Sequence, residues 1–457
     1  MKKKLLFIAG IFAVALFAPN ANAASAPKYY ENFANSKEIF FANGTPITIE
    51  ERTDSQPGAL IKWEGGEQLV TEEVGVFGGY HDDTTEKVDT SITMNGGTVR
   101  NIIGGGLHAS EVGKATITLN GGTIKVAIYG GGYDGYVWGG THCTCSSATN
   151  AAKPSNESTV RVDEVEIEVN GGSVTYVIGG GGGYNYVGIA SVTINELDNP
   201  ANYVVAGGTN GYTGHGEVNV NGGEIETVKG AMRGTVDEVE IAVTDGKVNQ
   251  VFAAAPSEAN DENATVNKTT VVIEGGEIAA IGAGTSGETN EPITGAELIY
   301  QNNVLDEEIL KDSGFEEENV TATIKFTIVV GDEVEEGLLE KGYQISEEEI
   351  KEMEDAIKEL LEDTNLEFKG FFADEDHTKE FDFSKPLEED TTLYIALVEI
   401  QEKEEDTPVE EPKEEEKEET NNKVNPDTSD INVIALIITL LVGGLGLSYT
   451  IKNRKFN

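Results

Sequence analysis

The sequence predicts a mainly β chain: a parallel β-helix, or β-solenoid, followed by a small α+β domain, a disordered acidic linker and a C-terminal transmembrane helix. Three observations carry this. Asn95-Gly96-Gly97, Asn120-Gly121-Gly122, Asn170-Gly171-Gly172 and Asn221-Gly222-Gly223 recur at spacings of 25, 50 and 51, so one unit of about 25 residues accounts for them all. A second glycine marker keeps the same step, at Gly78-Gly79, Gly104 to Gly106, Gly130 to Gly132, Gly179 to Gly183 and Gly207-Gly208. Between the markers apolar and polar residues alternate, as in Ala115-Thr116-Ile117-Thr118-Leu119 and Thr123-Ile124-Lys125-Val126. Period two with β-branched residues means short strands.

A unit of strand, Asn-Gly-Gly turn, strand and Gly-rich turn cannot bury its apolar face alone, so successive units have to stack. Asp245-Gly246 and Gly275-Gly276 continue the series, which gives about nine coils over residues 38–305 after a lead-in at 24–37. At about 4.8 Å per coil this is a rod of roughly 45 Å. Leucine-rich repeats have a similar unit length, but neither their Leu spacing nor a helical second element is present. Two units depart from the pattern: the turn near Val192 becomes Glu196-Leu197-Asp198-Asn199, and a long loop is inserted between Tyr133 and Ser158.

After Leu305 the glycines fade. Residues 306–320 read as a linker, and 321–400 as the α+β domain. Ser346 with Glu349 makes a capping box, and Ile350, Met353, Ile357, Leu360 and Leu361 form the apolar stripe of one helix. Strands are expected at Ala322 to Val330, Leu366 to Phe372, Glu380 to Phe383 and Thr392 to Val398. The stretch from Phe368-Lys369-Gly370-Phe371-Phe372 through Glu380-Phe381-Asp382-Phe383 to Thr391-Thr392-Leu393-Tyr394 resembles the internalin B-type, or Listeria-Bacteroides, repeat. Phe371 stands where that family usually has Trp. The resemblance implies a β-grasp-like spacer of surface proteins and no catalysis.

Charge limits the partners. With 81 Asp or Glu against 32 Lys or Arg, the formal charge is -49, and a phosphate backbone would be repelled, so nucleic acid is excluded. Only two cysteines are present, which excludes a disulfide-stapled scaffold. Residues 401–424 are rich in Glu and Lys, with Pro408 and Pro412 and no aromatics, so they cannot build a core and should stay extended as a stalk.

The two ends carry an address. Lys2, Lys3 and Lys4 precede an apolar run from Leu5 to Phe17, and Ala21-Asn22-Ala23 offers small residues for cleavage, so 1–23 reads as a secretory signal. Ile431 to Ile451 is free of charge and about 31 Å long as a helix, enough to span a bilayer. Lys452, Arg454 and Lys455 behind it place the tail in the cytoplasm. Upstream stand Asn425, Pro426, Asp427, Thr428 and Ser429. Motif, span and basic tail over 425–457 together resemble the sorting signal that sortases cleave when they attach proteins to Gram-positive peptidoglycan. The commonest version begins with Leu and ends with Gly, and Asn-Pro variants belong to other sortase classes. The resemblance implies that Thr428 is joined to the wall. A plain single-span membrane protein is the alternative.

Candidate binding residues follow the second glycine marker: Tyr80 and His81, His108, Tyr133 and Asp134, Tyr184 and Asn185. With coils in register these form one ribbon along the rod, joined by Tyr136, Trp138, Tyr186, Tyr212 and His215. Aromatic faces with polar neighbours on a rigid sheet are what sugar rings stack against, so glycans or a host or neighbouring-cell surface are the expected partners. Tyrosines that only shield turn backbone are the bland alternative. The repeated asparagines read as turn residues with positive φ that also hydrogen-bond as a ladder. No cofactor is called for. His81, His108 and Asp134 are unspecific as metal ligands, His142-Cys143-Thr144-Cys145 supplies three ligands where structural zinc needs four, and calcium at outward carboxylates is left open.

The expected function is therefore a displayed, non-enzymatic adhesin. Glu164, Glu166 and Glu168 project together from one strand at about 6.5 to 7 Å, a spacing that also fits an inverting carboxylate pair, so a wall-displayed polysaccharide lyase or hydrolase is the runner-up. A passive surface-layer element is the third reading.

Overall fold

A computed structural model describes residues 26–33, 37–80, 84–107, 110–134, 160–183, 185–255, 264–286, 291–362, 364–400 and 448–449. The chain divides into two units, at Val14–Thr321 and at Ala322–Asn457 with Met1–Ala13.

The larger unit is a β-solenoid of about eight turns, with nine strands stacked on each of two faces, close to the count the markers suggested. Its first face runs Lys37–Phe41, Gly75–Phe77, Thr98–Ile103, Thr123–Tyr129, Ser173–Ile178, Ala201–Val205, Glu224–Lys229, Lys247–Phe252 and Glu277–Gly282, every neighbour parallel. Its second face runs Ile47–Glu50, Thr84–Met94, Ser110–Leu119, Val160–Asn170, Asn185–Glu196, Tyr212–Val220, Gly234–Val243, Ala264–Ile273 and Glu297–Gln301, also parallel.

The alternation read from sequence sets the core. Ile47, Ile92, Ile117, Ile167, Val192, Val218, Ile241, Val271 and Leu298 are successive register partners and all are buried. Fully burying such a side chain is worth roughly 1.5–3 kcal/mol, and a parallel ladder stacks like on like, so this row holds the coils in step. A one-residue slip would turn it outward.

Glycine-rich corners join the faces because the coils meet there backbone to backbone. Gly104 N–H donates to the Tyr129 carbonyl at 2.8 Å, and a Cβ on Gly104 would lie 2.4 Å from the Gly130 oxygen. At the Asn-Gly-Gly corners the positive φ falls on the second glycine, +80° at Gly97, +91° at Gly122, +78° at Gly172 and +83° at Gly223. The asparagines are not among the positive-φ residues, so turn geometry does not explain why they recur. Hydrogen bonding does, as expected. Asn120 donates to Asn95 at 2.9 Å, Asn170 to Asn120 at 3.2 Å, Asn195 to Asn170 at 2.7 Å and Asn221 to Asn195 at 2.9 Å. Thr244 Oγ1 closes the ladder on Asn221 at 2.9 Å.

Both ends of the solenoid are covered. At the start Lys28–Phe33 pairs antiparallel with Lys37–Phe41, and the hairpin Ala59–Trp63 with Gly66–Val70 pairs antiparallel with Ile47–Glu50. At the other end residues 306–320, read from sequence as a linker, form a short helix, Glu307–Lys311, and a 3-10 turn, Glu317–Asn319. Ile309, Leu310 and Phe315 pack on the core, so this segment is a cap. Exposed edges would otherwise template further strands.

In the second unit Val320–Val330 forms an antiparallel hairpin with Glu333–Glu340 and lies parallel to Thr391–Glu399, which pairs antiparallel with Leu366–Phe372. The helix Glu347–Leu361 carries the expected capping box and buries Met353, Ile357 and Leu361. The Glu333–Glu340 strand was not expected, because its glutamates mask the Leu338–Leu339 burial that holds it. The strand expected at Glu380–Phe383 is reduced to one bridge, Phe372 to Glu380.

The signal segment, the 401–424 linker and the motif Asn425 to Ser429 lie outside the described residues. So does the expected span 431–451, apart from Ser448–Tyr449, which pair antiparallel with Gly337–Leu338. Among the described residues no helix is long and apolar enough to cross a membrane.

Candidate functional site

The expected ribbon divides into three places. Tyr80 and Tyr133 stand on a short corner ladder: Leu107 N–H donates to the Tyr80 carbonyl at 2.9 Å, and Leu107 bridges to Tyr133. The next member of that ladder is Gly182, paired with Tyr133, where Tyr184 was expected. The extra glycines shift the register, and glycine is needed because a Cβ there would lie 2.4 Å from the Tyr133 ring. Tyr133 meets Tyr129 edge to face, with centroids 5.6 Å apart.

Asn185 is not on any outer strip. It points inward and is 1% exposed, donates Nδ2 to the Gly183 carbonyl at 2.7 Å, and leaves Oδ1 without a partner among the described residues. His81, His108, Tyr136, Trp138 and Tyr184 lie outside the described residues, as do the Asp134 side chain and the His142 to Cys145 cluster.

Tyr186 and Tyr212 form a row of their own on the outer side of the second face. They are register partners between Arg161 and Thr235. The rings stack with centroids 5.4 Å apart and 11° between planes, and the Arg161 guanidinium sits 4.4 Å from the Tyr186 centroid. This limits sugar stacking: both faces of Tyr186 are covered and Tyr212 is only 9% exposed, so the row presents mainly the half-buried edge of Tyr186. The Tyr212 hydroxyl donates to Asp237, and burial first, then that bond, pushes it up to about 12. Tyr176 and Tyr203 repeat the arrangement on the first face, 5.6 Å apart, with Lys229 Nζ 4.5 Å from the Tyr203 centroid.

His215 lies three residues along from Tyr212 on the same outer face, and with it appears a cluster that sequence reading missed. In register, Ile189, His215, Glu238 and Lys268 form one row, and Ser191, Glu217, Glu240 and Thr270 the next. His215 Nδ1 is 3.5 Å from Glu238, and Lys268 pairs with the same carboxylate. The Lys268 bond is the main reason Glu238 is held below the usual carboxylate range. Glu240 goes the other way: burial raises it most, His215 opposes, and Glu217 and Glu238 add to the rise. Asn219 donates Nδ2 to Glu217 at 2.6 Å. Glu238 and Glu240 alternate with Val239 and Ile241 in the sequence, but the pairing of Glu238 with His215 and of Glu240 with Glu217 depends on a register that only the stacked coils supply.

Glu164 and Glu166, the acids considered for catalysis, are both bound by Lys114, at 2.8 and 2.9 Å. Glu168 accepts from Asn195 at 3.3 Å. Among the described residues no group of three or more His, Cys, Asp or Glu side chains is placed to hold a metal. No family model, curated protein or solved structure matches this chain.

Proposed function

We propose that this protein is exported, fixed to the peptidoglycan of a Gram-positive bacterium through Thr428, and displays its β-solenoid as a glycan-binding adhesin. The observation that carries the reading is the row Arg161, Tyr186, Tyr212, a stacked pair of rings beside a guanidinium on the outer side of a rigid parallel sheet. The order of the chain supports display: a signal-like start, the rod, an α+β unit, an acidic stalk and a segment resembling a sorting signal. The second unit is the spacer in this reading. Its strand pairing, two hairpin-like antiparallel pairs joined by a central parallel pair with one helix, is compatible with the β-grasp-like module that the repeat resemblance implies. In this reading residues 401–424 act as the extended stalk, and the apolar run that begins at Ile431 holds the chain at the membrane until the sorting step, although Ser448–Tyr449 at its end pair as a strand with Gly337–Leu338.

Two measurements test it. In cell fractionation the protein is expected in material released by muramidase, and Thr428→Ala is expected to move it to the membrane fraction; an unchanged distribution removes wall anchoring. On a glycan array the full chain is expected to retain ligands, and Tyr186→Ala with Arg161→Ala to weaken them.

One observation favours a second reading, cleavage of polysaccharide: Glu217 and Glu240 are register partners, and burial raises Glu240, the direction that a general acid requires. New reducing ends after incubation with polysaccharide would establish it.

A further inference from the structure

The outer second face holds two acceptors, Asn219 Oδ1 and the Glu240 carboxylate, that nothing among the described residues answers. Asn219 is only 6% exposed although it points away from the core, and its Nδ2 is committed to Glu217. Its Oδ1 is buried with no hydrogen-bond partner among the described residues, an unmet acceptor that ordinarily destabilises a fold. The register partner of Asn219 is Ala242, also outward and only 7% exposed, so the longer Glu217 and Glu240 side chains stand around a low floor. Glu240, next to Ala242 on that floor, takes part in no hydrogen bond or ion pair among the described residues. Lys268 and His215, the nearby cations, are engaged with Glu238. Carboxylates in this setting are acceptors. The floor is therefore rich in acceptors and short of donors.

We infer that Glu217, Asn219 and Glu240 form a carbohydrate subsite, and that it takes a neutral sugar through pairs of ring hydroxyls while rejecting acidic glycans. Adjacent hydroxyls are donors spaced to meet the Glu217 and Glu240 carboxylates together, and a shift of the Glu217 side chain on binding would open Asn219 Oδ1, sealed from water in the free protein, to one of them. A uronate or sulfated sugar would bring like charge to two glutamates in a chain of net charge -49. The row Tyr186 to Tyr212 lies on the same face, so one ligand could cross both. The inference rests on the glycan-binding reading above and specifies its sugar class and contact residues.

The test measures binding of the full chain in mild detergent to three immobilised probes: an N-acetylglucosamine hexamer, a cellohexaose and a galacturonate hexamer. The neutral hexamers are expected to bind and the galacturonate to be retained at least tenfold more weakly. Glu217→Ala and Asn219→Ala should each weaken neutral-sugar binding about tenfold, with Glu226→Ala on the first face unchanged. The far-ultraviolet circular dichroism of each variant checks folding, and Glu217→Gln replaces any variant that loses its β signal. If neutral sugars bind equally well to wild type, Glu217→Ala and Asn219→Ala, the subsite is wrong while the adhesin reading stands. Preference for galacturonate also overturns it. Retention of no glycan removes both.

Discussion

Asn195 donates its side-chain amide to the Asn170 oxygen at 2.7 Å while its own oxygen accepts from Asn221 at 2.9 Å, so one residue links three coils. Its sequence context, Asn195-Glu196, lacks the glycines that marked the other members, yet it fills the same place. Asn195→Ala removes a donor and an acceptor together and should cost about 1–2 kcal/mol, read as a lower urea midpoint. Asn195→Asp should cost more at neutral pH, because a carboxylate would then face Asn170 Oδ1 and Glu168.

Gly130 tests the close approach at the corners. A Cβ there would lie 2.1 Å from Val165 Cγ1 and 2.4 Å from the Gly179 oxygen. Gly130→Ala should therefore destabilise the solenoid by about 2–4 kcal/mol. Gly65→Ala is the comparison: its φ is +94° but nothing lies within 4 Å of a Cβ, so it should lose only about 1 kcal/mol from backbone strain. Equal losses in thermal or urea unfolding would show that crowding is not what excludes a side chain at Gly130.

Glu240 predicts a pH effect. Its folded carboxyl is raised, chiefly by burial, so the native state binds that proton more tightly than the unfolded chain. The stabilising contribution is present below the unfolded value and lost as pH rises through the folded one. Glu240→Gln should then be more stable than wild type near neutral pH, by about 0.5 kcal/mol after solvent screening, with the gap closing as pH falls toward the ordinary Glu range. A gap that widens on acidification would reverse the sign.

Ser346 caps the helix of the second unit, accepting from Glu349 N–H at 3.2 Å while Glu349 accepts from the Ser346 N–H at 2.7 Å. Ser346→Ala should cost that unit about 1 kcal/mol and leave hydrogen exchange in the solenoid strands unchanged.

The fold was largely legible because its signals are local. The period of about 25 residues, the alternation in Ala115 to Leu119 and the capping box at Ser346 each depend on a few neighbouring residues, and all reappear in the structure. The strand Glu333–Glu340 was missed because charged residues interrupt the apolar pattern. The 306–320 segment was read as a linker because three apolar contacts, Ile309, Leu310 and Phe315, are too few to mark a cap in sequence. The candidate strip fared differently: Tyr186 and Tyr212 came together, while Gly182 took the place expected of Tyr184 and Asn185 turned inward.

Sequence by itself determined that the chain alternates, repeats and must stack, since apolar residues on every second position leave each coil unable to bury its own face. Which side chains became neighbours was decided only by the stacked coils. Tyr186 lies 26 positions from Tyr212, and Glu217 lies 23 from Glu240. Those offsets differ because corner lengths differ, and the register that reconciles them is set by the buried row from Ile47 to Leu298. A strand displaced by one residue would expose that row to water, so burial of the core chose the outer neighbours.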